Sequence, residues 1–139
     1  MRMYRTEIKV EWAHCDAAGI VFYPHFYTWF DQATERLFSA NALSYKELEQ
    51  DFNTAGMPLL ETGARYENAS RLGDQLTMET EVSEWAGKIF TVSHTLTHAD
   101  RRLALKGFER RIWVTRDPEH PAGIRSIPVP EEIKARFKD

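Results

Sequence analysis

The hydrophobic positions of the chain follow a helical period over one long stretch near the start. The apolar side chains that share one helical face there are Phe22, Phe26, Trp29, Phe30, Ala33 and Leu37. Pro24 stands where a first helical turn would begin, and proline is tolerated there because that N–H has no intrahelical partner. The pattern therefore predicts a long amphipathic helix that runs from Pro24 to about Ala40.

Elsewhere the period is two, which is typical of strands. Alternation predicts strands over 4–13, 59–67, 75–85, 89–98 and 103–115, with a shorter extended piece over 124–129. In the first of these strands Trp12 falls on the apolar side. Ser44 and Glu47 form a capping-box pattern, which predicts a short helix over 45–52. Pro130 near the start of the last segment predicts a terminal helix over 130–137.

The order of these elements indicates an α+β fold. A strand, a long helix and then a run of strands joined by tight turns make an antiparallel sheet of five or six strands that covers the apolar face of the helix. The 139 residues match the usual size of one domain, so we expect a single domain over 1–139. Such a sheet leaves an edge strand exposed, which favours a dimer through edge pairing.

Composition narrows the class of protein further. A net charge of -3 gives no sign of a nucleic-acid or membrane binder. The single cysteine, Cys15, has no intrachain disulfide partner, so a reducing cytoplasm is the expected location. No segment resembles a signal peptide, and no apolar run is long enough to span a bilayer.

The candidate chemistry lies in a loop of small residues directly before the long helix. This loop contains the carboxylate of Asp16, and Gly19 allows its backbone to approach a ligand closely. A helix N-terminus is a preformed site for negative charge, including a developing oxyanion. By spacing alone, however, an aspartate beside a glycine is more often an ordinary turn residue.

The segment HCDAAGIVFYPHFYTWFDQA resembles the 4-hydroxybenzoyl-CoA thioesterase branch of the hotdog-fold thioesterases. The shared pattern is an aspartate, small residues, Gly-Ile-Val, an aromatic residue, Tyr-Pro and then an aromatic helix with a second aspartate. Here it runs from Asp16 through Gly19 and Tyr23 to Asp31. The resemblance implies a hotdog fold and hydrolysis of a small, aromatic acyl-CoA to the free acid and CoA.

The resemblance also implies roles for individual residues. Asp16 would attack the thioester carbonyl, or activate water to attack it, and the backbone N–H of Tyr23 would polarise the carbonyl oxygen with Gly19 nearby. Asp31 would be a structural residue near the site. Lys88 and Arg125 would hold the CoA phosphates, and His14 and Pro58 are further candidates for substrate binding.

The family implies a homodimer with the site at its interface, assembled as a dimer of dimers. No metal is expected, because no metal-ligand spacing is present, and no separate cofactor is expected, because CoA is part of the substrate. Two positions depart from the family pattern. His14 replaces an acidic residue, and Ala86 and Gly87 replace a basic pair in the hairpin, so that Lys88 alone remains there.

Several other functions remain open at this stage. The substrate class is one question, since a short aliphatic acyl-CoA or an acyl carrier protein would suit the same chemistry. Another is the reaction, since a hydroxyacyl-thioester dehydratase or hydratase on this fold would pair His14 with Asp31 or Glu35. A third alternative is a module that binds acyl thioesters without turnover.

Overall fold

A computed structural model describes all residues from 1 to 139. The elements in chain order are β1 (Met3–Lys9), α1 (Pro24–Ala40), α2 (Tyr45–Phe52), β2 (Leu59–Tyr66), β3 (Gln75–Ala86), β4 (Ile89–His98), β5 (Leu103–Ile112), β6 (Val114–Arg116), β7 (Ile124–Ser126) and α3 (Glu131–Ala135). β1 to β5 form one antiparallel sheet in the order β1-β3-β4-β5-β2, and β6 pairs with β7 separately. The α+β prediction, with a five-stranded antiparallel sheet and one long helix, is confirmed.

The apolar face of α1 packs on the sheet. Phe30 and Ala33 lie in one core cluster with Leu76, Leu96 and Leu105 of the strands. The Phe30 ring stacks on the buried His94 of β4 with 4.6 Å between ring centroids. Opposite this ring β5 carries Gly107, and a Cβ added there would overlap the Phe30 ring, so only glycine allows the helix to approach this closely.

A second core cluster surrounds the C-terminal end of α1. Leu37 and Phe38 of the helix pack with Phe90, Trp113 and Phe137. α2 begins at the expected capping box, in which Ser44 accepts the Glu47 N–H at 3.3 Å. None of the helices is both long enough and apolar enough to cross a bilayer.

Two predicted strands end earlier than the alternation indicated. β1 stops at Lys9, and Trp12–His14 forms a 3-10 turn, so Trp12 is 80% exposed and not on a buried face. The predicted strand over 103–115 is divided at Trp113. The backbone N–H of Trp113 donates to the Lys88 carbonyl, and its fully buried indole packs in the second core cluster. At Trp113 long-range packing overrides local alternation, whereas at Trp12 a local 3-10 turn ends the alternation.

Candidate active site

Asp16 lies in a short hairpin between the 3-10 turn and α1. Cys15 bridges Val21 across this hairpin, and the Asp16 N–H donates to the Ile20 carbonyl at 3.0 Å. Gly19 closes it with φ at +74°, in the left-handed region that favours glycine, and donates its N–H to the Asp16 carbonyl. Gly19 therefore shapes the loop, and its N–H is already occupied.

The Asp16 carboxylate is anchored through one oxygen. Its Oδ1 accepts the Ala18 N–H at 2.9 Å, the Asx-turn arrangement that short acidic side chains adopt. Its Oδ2 accepts no hydrogen bond from the chain, and the residue is exposed. One carboxylate oxygen is thus fixed in place while the other is free to react with a bound molecule.

The start of α1 presents an unused donor on the cleft that Asp16 also lines. Pro24 has no N–H, and the N–H groups of His25 and Phe26 donate to Phe22 and Tyr23 carbonyls. The Tyr23 N–H donates to no group of the chain. A free backbone N–H at a helix N-terminus can stabilise an oxyanion.

Asp16 and Tyr23 open onto one cleft of about 830 Å³. Its walls include the aromatic side chains of Phe22, Phe26, Tyr27 and Tyr66, and Glu67 adds a second carboxylate. Burial and a hydrogen bond with Tyr27 raise the pKa of Tyr66 to about 12, so this phenol stays protonated at neutral pH. The cleft combines an aromatic lining, a free carboxylate oxygen and a free donor, which suits attack on a carbonyl group.

Sequence reasoning did not identify Tyr27 and Tyr66 as lining residues. Tyr27 follows Tyr23 at the i+4 spacing that places two side chains on one helix face, and that spacing could have indicated a shared wall. Tyr66 ends β2, and only the strand pairing brings it to the start of α1, where its ring lies 5.7 Å from that of Phe26.

His14 and Cys15 lie next to Asp16 in sequence, outside the lining of this cleft. The His14 Nδ1 accepts the Glu11 N–H at 2.9 Å, and its ring lies edge-on to Trp29 at 5.0 Å. The Cys15 thiol is half-buried and contacts the Glu11 carbonyl at 3.6 Å. Both side chains are engaged with the turn that precedes the hairpin.

Asp31 and Pro58 border a second cleft of about 510 Å³, between α1, α2 and the start of β2. Arg111 of β5 connects α1 to the loop before β2. One of its guanidinium nitrogens donates to Asp31 Oδ1 at 2.8 Å, and another donates to the Met57 carbonyl at 2.8 Å. Asp31 therefore helps to hold the loop before β2 through Arg111.

Lys88 and Arg125 lie at the opposite end of the sheet from Asp16, on the β3–β4 hairpin and β7. Lys88 Nζ contacts Ser126 Oγ at 3.3 Å, and Arg125 pairs with Asp117 at 3.3 Å. Neither cation lines the cleft that contains Asp16.

A buried polar chain runs from the sheet to Asp31. His94 Nε2 donates to the Glu109 carboxylate at 2.9 Å, and the Thr80 hydroxyl lies 2.8 Å from His94 Nδ1. Glu109 also contacts Thr34 of α1 and Arg111. Burial alone would raise the pKa of Glu109, but the His94 hydrogen bond, the Arg111 charge and the Thr34 hydroxyl hold that pKa below its usual range. Glu109 is therefore an ionised, fully paired carboxylate inside the core.

Comparisons with known proteins agree in fold and in family. The profile of the thioesterase-like superfamily matches residues 10–137. The 4-hydroxybenzoyl-CoA thioesterase of Pseudomonas sp. (strain CBS-3) is 30% identical over 136 residues, which cover 94% of each chain.

Solved structures extend the likeness over nearly the whole chain. A mutant 4-hydroxybenzoyl-CoA thioesterase in complex with 4-hydroxybenzoyl-CoA gives a TM-score of 0.88 at 26% identity, over 99% of this chain and 100% of the other. A gentisyl-coenzyme A thioesterase gives a TM-score of 0.79 at 25% identity, over 97% of this chain and 100% of the other.

Proposed function

Because the chain belongs to the thioesterase-like superfamily, we propose that it hydrolyses a small aromatic acyl-CoA to the free acid and CoA. The family resemblance inferred from the residues around Asp16 is confirmed. The observation that carries the proposal is the meeting of a free Asp16 carboxylate oxygen and a free Tyr23 N–H at one aromatic cleft.

Asp16 supplies the attacking group in this proposal. In one form its Oδ2 attacks the thioester carbonyl carbon, the C–S bond breaks, the CoA thiolate leaves and water then hydrolyses the resulting anhydride. In the other form the carboxylate takes a proton from a water molecule as that water attacks. The anchored Oδ1 orients the carboxylate in both, because the Ala18 N–H fixes its plane.

The Tyr23 N–H receives the negative charge that develops on the carbonyl oxygen. A preformed donor needs no reorganisation during the reaction, which is why such donors lower the barrier. Gly19 supports this arrangement through its left-handed backbone, which turns the loop back toward α1.

The lining of the cleft supports an aromatic and uncharged acyl group. Phe22, Phe26, Tyr27 and Tyr66 offer ring surfaces, and the phenol hydroxyls can bond a neutral polar substituent. The two carboxylates, Asp16 and Glu67, would repel an acyl group that carries its own carboxylate. The printed names of the relatives, a 4-hydroxybenzoyl-CoA and a gentisyl-CoA thioesterase, are those of aromatic thioesters.

The site is proposed to be completed by a second copy of the chain. β2 is the last strand of the sheet, with a free edge that carries the exposed side chains of Leu59 and Leu60. Pairing of two β2 edges would make a homodimer, and a dimer of dimers is the proposed assembly. Light scattering is expected to give two or four times the mass of one chain, and a monomeric mass at micromolar concentration would contradict this part.

Dimer formation also bears on the CoA contacts. Lys88 and Arg125, which lie away from the Asp16 cleft of their own chain, are proposed to bind CoA phosphates at the site of a neighbouring subunit. Pro58 is a further proposed substrate contact, whereas His14 lies outside the lining of the Asp16 cleft. The proposal includes no metal and no cofactor besides the CoA of the substrate, and the free Cys15 thiol suits a cytoplasmic location.

The experiment that tests the function is thiol release from a panel of CoA esters, followed with a disulfide dye. Benzoyl, hydroxybenzoyl and phenylacetyl esters are expected to react fastest. A 4-carboxybenzoyl ester is expected to react about two- to five-fold more slowly, because its charge would lie near two exposed carboxylates whose repulsion solvent partly screens. Glu67→Gln removes one of those charges and should reduce the difference in rate between the 4-carboxybenzoyl ester and the uncharged aromatic esters.

Other outcomes of the panel would favour other functions. Release from short aliphatic esters alone would retain the chemistry and reject the aromatic acyl group. An enoyl product from a 3-hydroxyacyl ester would indicate a dehydratase. Tight binding of esters without any thiol release would indicate a binding module and would contradict the thioesterase proposal.

A further inference from the structure

The imidazole of His14 acts as a hydrogen-bond acceptor toward its own turn. Its Nδ1 lies 2.9 Å from the backbone nitrogen of Glu11. A backbone N–H can only donate, so Nδ1 must carry the lone pair, and the neutral ring then has its proton on Nε2. The local contact fixes the tautomer of this residue.

His14 also connects this turn to α1. Its ring lies edge-on to the buried Trp29 at 5.0 Å and is 5.4 Å from the ring of His25. Its carbonyl accepts the Phe22 N–H at 2.9 Å, and this bond joins the two ends of the hairpin that contains Asp16. One residue thus contacts the 3-10 turn, the end of the hairpin and the second turn of α1.

We propose that His14 is a positioning residue that sets the distance between the Asp16 carboxylate and the Tyr23 N–H. Asp16 follows His14 by two residues. Tyr23 directly follows Phe22, whose N–H donates to the His14 carbonyl. The inference rests on the proposed function, in which these two groups act on the same carbonyl. Effective attack needs reacting atoms placed within about 0.5 Å of the productive geometry, so a loosened turn slows the reaction.

This role differs from binding of the substrate. His14 does not line the cleft with Asp16 and Tyr23, so loss of its acceptor should lower kcat and leave KM nearly unchanged.

The test compares His14→Asn with His14→Ala. Asparagine places an acceptor oxygen near the position of Nδ1 and does not titrate, whereas alanine has no acceptor. We expect His14→Ala to lower kcat by about 10- to 100-fold with KM within about two-fold, and His14→Asn to recover most of that loss.

His120 provides a matched control. Its Nδ1 accepts the Ala122 N–H at 3.0 Å, the same kind of bond in a turn that lies outside the Asp16 cleft. His120→Ala removes that bond and should leave kcat within about two-fold of the wild type. A comparable loss in both alanine variants would show a general effect on stability and would overturn the proposal.

Three further results would also overturn it. These are an unchanged kcat in His14→Ala, a rise in KM in place of a fall in kcat, and a His14→Asn variant as slow as His14→Ala. The tautomer gives a readout that needs no turnover, since nitrogen chemical shifts should place the His14 proton on Nε2. Absence of thiol release in the wild type would contradict the proposed function, whereas a proton on Nδ1 would contradict this inference alone.

Discussion

Asp16→Asn is expected to lower kcat for thiol release by roughly a thousand-fold, while the fold is retained. The amide cannot act as nucleophile or general base, so the reaction loses its attacking group. The turn should persist, because the Asn oxygen can still accept the Ala18 N–H that Asp16 Oδ1 accepts at 2.9 Å. KM should change far less than kcat, since the aromatic walls and the Tyr23 N–H remain. The measurement is steady-state thiol release on the best ester of the panel.

Asp100 offers a control for this substitution. Its Oδ1 accepts the Arg102 N–H at 3.1 Å, the same turn geometry as at Asp16, on the hairpin between β4 and β5. Asp100→Asn should therefore have kcat within about two-fold of the wild type. If Asp16→Asn retained a similar rate, the assignment of Asp16 to the chemistry would be wrong, and the family fold would have to use another group.

Glu109→Ala is expected to destabilise the protein by about 3–5 kcal/mol, the largest effect on stability that we predict. The Glu109 carboxylate is 2% exposed and pairs with Arg111 at 2.5 Å and with His94 at 2.9 Å. Removing it leaves Arg111, whose side chain is 11% exposed, with only the exposed Asp31 carboxylate and the Met57 carbonyl as partners, and it deprives the buried His94 and Thr34 of their acceptor. The measurement is the free energy of unfolding in urea at neutral pH.

The adjacent ion pair on the same strand is the control. Arg110 pairs with Glu61 at 3.1 Å, but these side chains are 44% and 54% exposed. Solvent screens such a pair, so Glu61→Ala should cost no more than about 0.5 kcal/mol. Equal costs for the two alanine variants would mean that burial does not determine the strength of these pairs.

Acidification should act in the same direction as the loss of Glu109. The pKa of Glu109 is lower in the folded chain than in the unfolded chain, so the unfolded chain binds this proton more readily. The stabilisation is therefore complete above the usual glutamate range and is lost as the pH falls through the lowered pKa. The difference in unfolding free energy between the wild type and Glu109→Ala should shrink over that acidic window.

The sequence by itself determined most elements and the centre of the site. Period-two alternation located β3 and β4, the capping box located α2, and the apolar face located α1, because each of these signals depends on neighbours within a few residues. The loop with Asp16, Gly19 and Tyr23 was identified for the same reason: its chemistry fits within one short segment and carries a recognisable motif.

The tertiary structure decided what depends on residues far apart in the chain. Asp31 and Arg111 are 80 positions apart, and only the strand order and register join them with Glu109 and His94. Tyr66 lines the cleft at Asp16 because β2, which it ends, lies at the edge of the sheet. Trp12 is exposed because the chain leaves β1 at Lys9 and enters a turn. Local periodicity assigns a side chain to a face, but its partner across that face is set by register and packing between distant segments.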